Sequence, residues 1–215
     1  TQTFQDVLKR LALIDDAQKK ITELSSNVVS LQEILADKRS RGAFGEVQLE
    51  SLVSNVMPTS SYKFQHAFSN KKIVDCALFL PEPTGVIGVD AKFPLENFQK
   101  MMDHDLSDIE RRQSQNQFVK DIKKHINDIA GKYIIERETA PGAVMFIPAE
   151  AICAEIYAHH PEIVQYAQQS KVWMVSPTTM MALLTTASAV LKDEASRKQV
   201  HIIQEHLSML SKDFG

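Results

Sequence analysis

Apolar residues recur at a seven-residue interval along the first stretch of the chain: Val7, Ile14, Ile21, Val28 and Leu35, with Ala17, Leu24 and Leu31 between them. Neither Gly nor Pro interrupts residues 4–38, so the pattern predicts one long helix. Arg10 takes one intermediate position beside Leu11 and leaves the first heptad imperfect. β-Branched residues alternating with Leu at this spacing favour a parallel two-stranded coiled coil, which would make the protein a homo-oligomer. The same stripe also suits a helix laid back on its own domain.

Beyond residue 38 the period changes. Lys38 to Arg41 reads as a basic hinge, and Phe44, Val47, Leu49, Leu52 and Val53 predict a helix over 44–55. Glu46 and Glu50 share a face of it, one turn apart. Tyr62, Phe64, His66 and Phe68 alternate as in a strand, with Gln65 on its other side, where it could reach a ligand. Residues 73–80 and 86–93 are short, mostly apolar runs joined by Pro81-Glu82-Pro83-Thr84-Gly85, which reads as a hairpin with its turn.

The polar stretch 96–112, with His104 between Asp103 and Asp105, reads as a solvated connector. Phe118, Ile122, Ile126, Ile129 and Tyr133 then fall at helical spacing. Residues 142–148 form a continuous apolar run, as in a strand covered on both faces. A helix over 149–169 should break at His159-His160-Pro161, and residues 172–175 give another buried strand, which holds the single Trp. Ser176 and Pro177 then suit the N-cap and first turn of a final helix reaching residue 211. That N-terminus is a candidate phosphate site, although capping explains the same residues. The order α-β-β-β-α-β-α-β-α predicts an α/β domain over 39–215, a central mixed sheet flanked by helices, after a coiled-coil segment over 1–38.

Three polar residues interrupt the hairpin strands: Asp75, Asp90 and Lys92. Alternation puts Asp90 and Lys92 on one face, and hairpin pairing brings Asp75 beside Asp90. Two close carboxylates are the oxygen ligands a hard cation such as Mg²⁺ or Mn²⁺ takes, and a neighbouring Lys can hold a water or an anionic oxygen. That equipment suits phosphodiester hydrolysis. An ordinary ion pair of Lys92 with either acid at a strand end accounts for the same three residues.

Net charge is −3, so no global basic field points to nucleic acid and any such contact must be local. The candidate cations for it are the pairs Lys71 with Lys72, Arg111 with Arg112, and Lys123 with Lys124. The two cysteines, Cys76 and Cys153, make neither a disulfide framework nor a zinc site. No apolar run approaches the roughly 18 residues of a membrane span. The chain starts at Thr1 and its last helical pattern barely ends before Gly215, so a longer parent protein is expected, with room for an N-terminal anchor.

The blocks RGAFGEVQLESLV, YKFQ, IVDCALFLP, GVIGVDAKFPLENF, MFIPAE and KVWMVSPTTMMALL, in this order, resemble the RmuC proteins, bacterial DNA-recombination proteins. The likeness covers about residues 40–212. It implies the restriction-endonuclease-like, PD-(D/E)XK fold and a Mg²⁺- or Mn²⁺-dependent deoxyribonuclease. Asp75 matches that motif's first acid, with Val74 where a Pro usually stands, and Asp90 and Lys92 match its D-x-K half. Glu46 matches a helical Glu that completes the metal site, and Gln65 a polar residue of the neighbouring strand. With that set complete, an active site acting on DNA is expected. The alternative is a DNA-binding or scaffolding recombination protein with a vestigial site. The likeness also implies a bacterial cytoplasmic setting, at the inner membrane if the parent is anchored.

Overall fold

The computed structural model describes the backbone of residues 37–213 and the side chains of residues 37–196. The coiled-coil helix expected over 4–38 lies, but for its last two residues, outside the described residues. The chain divides into two compact units, Thr1–Phe44 and Gly45–Gly215.

Helix α1, Lys38–Val56, begins six residues earlier than the apolar pattern predicts. The Asp37 side chain is the reason. It accepts from the Ser40 amide at 2.9 Å and the Ser40 hydroxyl at 3.1 Å, which caps the first turn and draws Asp37 ionisation below the usual range. The expected hinge is therefore helical.

Three strands follow as an antiparallel meander: β1, Tyr62–Ala67; β2, Ile73–Phe79; and β3, Val86–Ala91. Gly85 closes the β2–β3 turn with a φ of 74°, a backbone that side chains with a Cβ rarely adopt. The chain then crosses over through α2, Leu95–Met102, and α3, Asp108–Tyr133, to β4, Ala143–Phe146, parallel to β3. A second crossover, α4, Glu150–His159, and α5, Pro161–Gln169, leads to β5, Val172–Val175, parallel to β4. Helix α6, Pro177–Asp213, completes the chain. Sheet order is β1-β2-β3-β4-β5, a mixed five-stranded sheet in an α/β fold.

The polar stretch read as a connector contains α2 and the first turn of α3. Leu95 and Met101 are buried and Phe98 packs 6.1 Å from the Phe118 ring, so α2 has an apolar face that the surrounding charges hide. Ser107 starts α3 through a capping box: the Glu110 amide donates to its Oγ at 3.3 Å, and its own amide donates to Glu110 Oε2 at 3.0 Å. The break between α4 and α5 falls at Pro161, where sequence placed it, because Pro supplies no amide to continue the first helix.

Helices cover both sheet faces. Leu49 and Val53 of α1 and Met180 and Leu184 of α6 share one core with Cys76, Leu78, Val89, Val144 and Phe146 of the sheet. Helices α3 and α5 pack over β4 and β5 through Phe118, Ile122, Ile126, Ile129 and Ile163. Each such side chain, fully buried, contributes about 1.5–3 kcal/mol. The crossovers thus fix α3 along the sheet and bring the ends of β3, β4 and β5 to one side. Among the described residues, no helix is long and apolar enough to cross a membrane.

Candidate functional site

The β2–β3 register runs Phe79–Val86, Leu78–Ile87, Ala77–Gly88 and Cys76–Val89. One step further places Asp75 opposite Asp90. Both acids lie at the sheet end where β1 turns into β2 and where β3, β4 and β5 finish, the end at which parallel strands present ligand sites. Past the last ladder pair the Ala91 amide donates to Asp75 Oδ2 at 2.8 Å, so a carboxylate replaces the strand there. Lys92 lies just beyond β3, yet its amide donates to the Phe146 carbonyl at 2.8 Å and continues the β3–β4 alignment.

The Lys92 ammonium pairs with Asp90 Oδ2 and also reaches the Ala91 carbonyl at 3.3 Å. Asp90 is buried at 3% exposure, and its Oδ2 takes no well-directed hydrogen bond. The contact with Lys92 is thus one of charge with charge rather than an aligned donor and acceptor. Asp75 is half-buried, and its ionisation is pushed up to about 6: burial is the largest cause, then the charge on Asp90, with Glu46 adding to both, while the Ala91 amide and Lys92 oppose them. The charge of Asp90 thus makes Asp75 costlier to ionise, while the Lys92 ammonium beside Asp90 offsets part of that cost.

Glu46 reaches this field because α1 is seated on the end of β3. A Cβ at Gly45 would lie 3.5 Å from the Ala91 Cβ and 3.4 Å from Pro148 Cγ. Among the described residues, however, no three His, Cys, Asp or Glu side chains are gathered closely enough to hold a metal. The structure therefore brings Asp75 and Asp90 together and leaves Glu46 in their electrostatic neighbourhood. Gln65 occupies the register position opposite Asp75 in the β1–β2 pair, between Phe64–Cys76 and His66–Val74, with an exposed side chain and a φ of 48°. A left-handed backbone is unusual for a residue with a long side chain and marks this point of β1 as specially held.

The other wall of the site comes from α3, and sequence reading missed it. His125 is half-buried; burial pushes its ionisation down first, Lys92 adds to that, and Asp121, Asp128 and Asp90 act against it. Tyr133 donates its hydroxyl to the Ile73 carbonyl at 2.9 Å and senses both Asp75 and Asp90. The signal was present: Asp121, His125 and Asp128 recur at helical spacing along one flank of the Phe118–Tyr133 stripe. Cys76, by contrast, is buried and pushed up to about 12 by burial and then by Asp75 and Glu50, which removes it as a nucleophile.

The model of the RmuC family matches residues 1–215. The chain belongs to the RmuC family. A "DNA recombination protein RmuC homolog" from Xylella fastidiosa (strain Temecula1) is 27% identical over 223 residues, covering 99% of this chain and 49% of its own. Proteins with the same name from Chlamydia trachomatis serovar D and Haemophilus influenzae (strain Rd) are 31% and 26% identical, covering 89% and 87% of this chain and 43% and 44% of theirs. The chain spans about half the length of the curated relatives it matches. No solved structure matches it.

The cations singled out in this RmuC-family chain are dispersed. Lys71 and Lys72 are exposed on the β1–β2 turn, at the same sheet end as Asp75 and Asp90. Arg111 Nε donates to the Met101 carbonyl at 3.3 Å, and the guanidinium lies 3.7 Å from Asp108. With Arg112, Gln115 and Glu155 it lines a cleft of about 320 Å³. Lys123 sits 5.4 Å over the Tyr166 ring, and Lys124 is exposed. The candidate phosphate site at the start of α6 is filled from within: the Thr178 amide donates to Glu150 Oε1 at 2.7 Å and the Thr179 amide to Ser176 Oγ at 3.3 Å. The fold supplies that helix end with its own carboxylate.

Proposed function

We propose that this chain is the catalytic core of a Mg²⁺- or Mn²⁺-dependent DNA nuclease acting in recombination or repair. The observation that carries this reading is the Asp75–Asp90 pair held across β2 and β3 with Lys92 against it. The RmuC name of its relatives supplies the link to DNA recombination.

The donor set fits a hard divalent cation. The buried Asp90 Oδ2 takes no well-directed hydrogen bond beyond its charge contact with Lys92, and Asp75 resists ionising largely because of burial and the Asp90 charge, a repulsion that a dication relieves. Mg²⁺ takes one or two carboxylates and keeps several waters, so Asp75 and Asp90 suffice without a third direct ligand. Glu46 then acts at longer range, through water. When bound, such a cation neutralises charge on the scissile phosphate and makes a water a better nucleophile.

The chain's own residues do the rest. Lys92, 30% exposed, leads from the buried Asp90 to solvent and holds the attacking water or a phosphate oxygen with its ammonium. Gln65 orients substrate from the neighbouring strand. Lys71 and Lys72 contact backbone phosphates from the turn beside the acids, whereas Arg111, Arg112, Lys123 and Lys124 lie along α3 and add a more distant, non-specific attraction. The heptad segment over residues 4–38 pairs two copies.

Cleavage of labelled linear, single-stranded and branched DNA with Mg²⁺ or Mn²⁺ tests this, comparing the native chain with Asp90→Ala and Lys92→Ala. Loss of cutting in both variants is expected. A second reading, a DNA-binding scaffold with a vestigial site, is favoured by the direct Lys92–Asp90 pairing and the lack of a third gathered acid. It takes over if no substrate is cut and the variants bind DNA as well as the native chain does.

A further inference from the structure

Tyr133 ends the apolar stripe of α3 and stands between the two strands that carry the acids. It is 6% exposed. Its Cβ rests against β3 at Gly88, where an added Cβ would lie 3.1 Å away, tighter than side chains normally approach. On another side its ring meets Phe68, with centroids 6.2 Å apart. Ring position is thus set by packing, and the hydroxyl goes where the ring sends it.

That hydroxyl donates to the Ile73 carbonyl at 2.9 Å, two residues before Asp75 on β2. Burial is the first cause of its reluctance to ionise, and the charge of Asp90 comes next. A phenol has a single proton to give. Here that proton goes to the backbone of β2, the strand that carries Asp75, while the ring rests on β3 two residues before Asp90.

We propose that Tyr133 is a positioning residue: its hydroxyl, aimed by the Gly88 contact on β3, fixes the entry of β2 against β3 and so sets how the Asp75 and Asp90 carboxylates face each other. This rests on reading that pair as a divalent-cation site. Tyr133 does not touch the reacting atoms; it acts through the acids, as the outer partners of metal ligands do. Gly88 belongs to the same device, because any side chain there displaces the ring.

The test is Mn²⁺ binding by titration calorimetry, without DNA, on the full chain and on Tyr133→Phe, Gly88→Ala and the double variant, with circular dichroism and urea midpoints to verify folding. Tyr133→Phe keeps the ring and removes only the hydroxyl, and it should weaken Mn²⁺ binding about tenfold. Gly88→Ala should weaken it in the same direction, and the double variant no more than the worse single one, since both act through one hydroxyl. If Gly88→Ala fails to fold, Tyr133→Phe decides alone. A native chain that binds Mn²⁺ while Tyr133→Phe binds it equally, with only a lower urea midpoint, overturns the positioning role and leaves the metal site standing. A native chain that takes up no Mn²⁺ overturns the metal reading, and this inference falls with it.

Discussion

Asp75 Oδ2 accepts from the amide of Ala91, the neighbour of Asp90 on β3, at 2.8 Å, just beyond the last ladder pair of β2 and β3. Asp75 is therefore held by the backbone of the strand that carries Asp90, not by a flexible side chain alone.

The first test concerns pH. Asp75 ionises at about 6 in the folded chain, against roughly 3.9 when unfolded. Between those values the folded state binds more protons, so the contribution of Asp75 to stability is greatest below about pH 4 and is lost as pH rises through 6. After allowance for partial exposure the loss is on the order of 1–2 kcal/mol. Urea midpoints at pH 4.5 and 7, measured without metal, should differ less in Asp75→Asn than in the native chain. An unchanged difference would place the titration elsewhere.

A divalent cation should act on stability. At about 100 times its dissociation constant, Mn²⁺ should stabilise the native chain by about 2.7 kcal/mol, or a Tm higher by about 5–10 °C. Asp90→Asn should show no such rise. Equal shifts in both proteins would mean that the ion binds somewhere other than the hairpin.

Gly142 is a third test, away from the site. A Cβ at this position would lie 2.5 Å from Trp173 Cη2 and 3.0 Å from the Lys171 carbonyl. Gly142→Ala should therefore move the ring and cost about 1–3 kcal/mol. Trp173 is the single Trp, so its fluorescence reports the movement directly. An unshifted spectrum with an unchanged Tm would show that the ring yields freely.

Ser107 is the fourth. Removing its side chain in Ser107→Ala leaves the Glu110 amide uncapped at the start of α3, and stability should fall by about 1 kcal/mol. Mn²⁺ affinity should stay unchanged, since the first turn of α3 lies more than three turns from Tyr133 by sequence.

The hairpin was legible because strand parity is local. Asp90 and Lys92 share a face whatever surrounds them, and Pro81 to Gly85 dictates the turn that returns β3 beside β2. Likewise the apolar run at Ala143–Phe146 announced a strand covered on both faces, and Pro161 announced the break between α4 and α5. The run Val172–Val175 announced a strand but not its exposure: β5 is the edge of the sheet, and Trp173 on it is half exposed. Helix α2 was hidden because it is short: Leu95, Phe98 and Met101 make too little of a stripe to stand out among Glu96, Lys100 and Asp103.

What only the tertiary structure decided is which neighbours the acids have. Tyr133 reaches Ile73, and His125 enters the field of Lys92 and Asp90, because α3 crosses the sheet at one angle, and a small rotation of that helix would have presented another flank. Glu150 fills the start of α6 although 28 residues separate it from Thr178. Glu46 comes into the field of Asp75 through the seating of Gly45 on Ala91. Such contacts depend on how separate elements pack, and packing is set by the whole core. The sequence alone determined the acids, the lysine and the strands that carry them; the fold alone determined the burial, the charges and the hydroxyl that surround them.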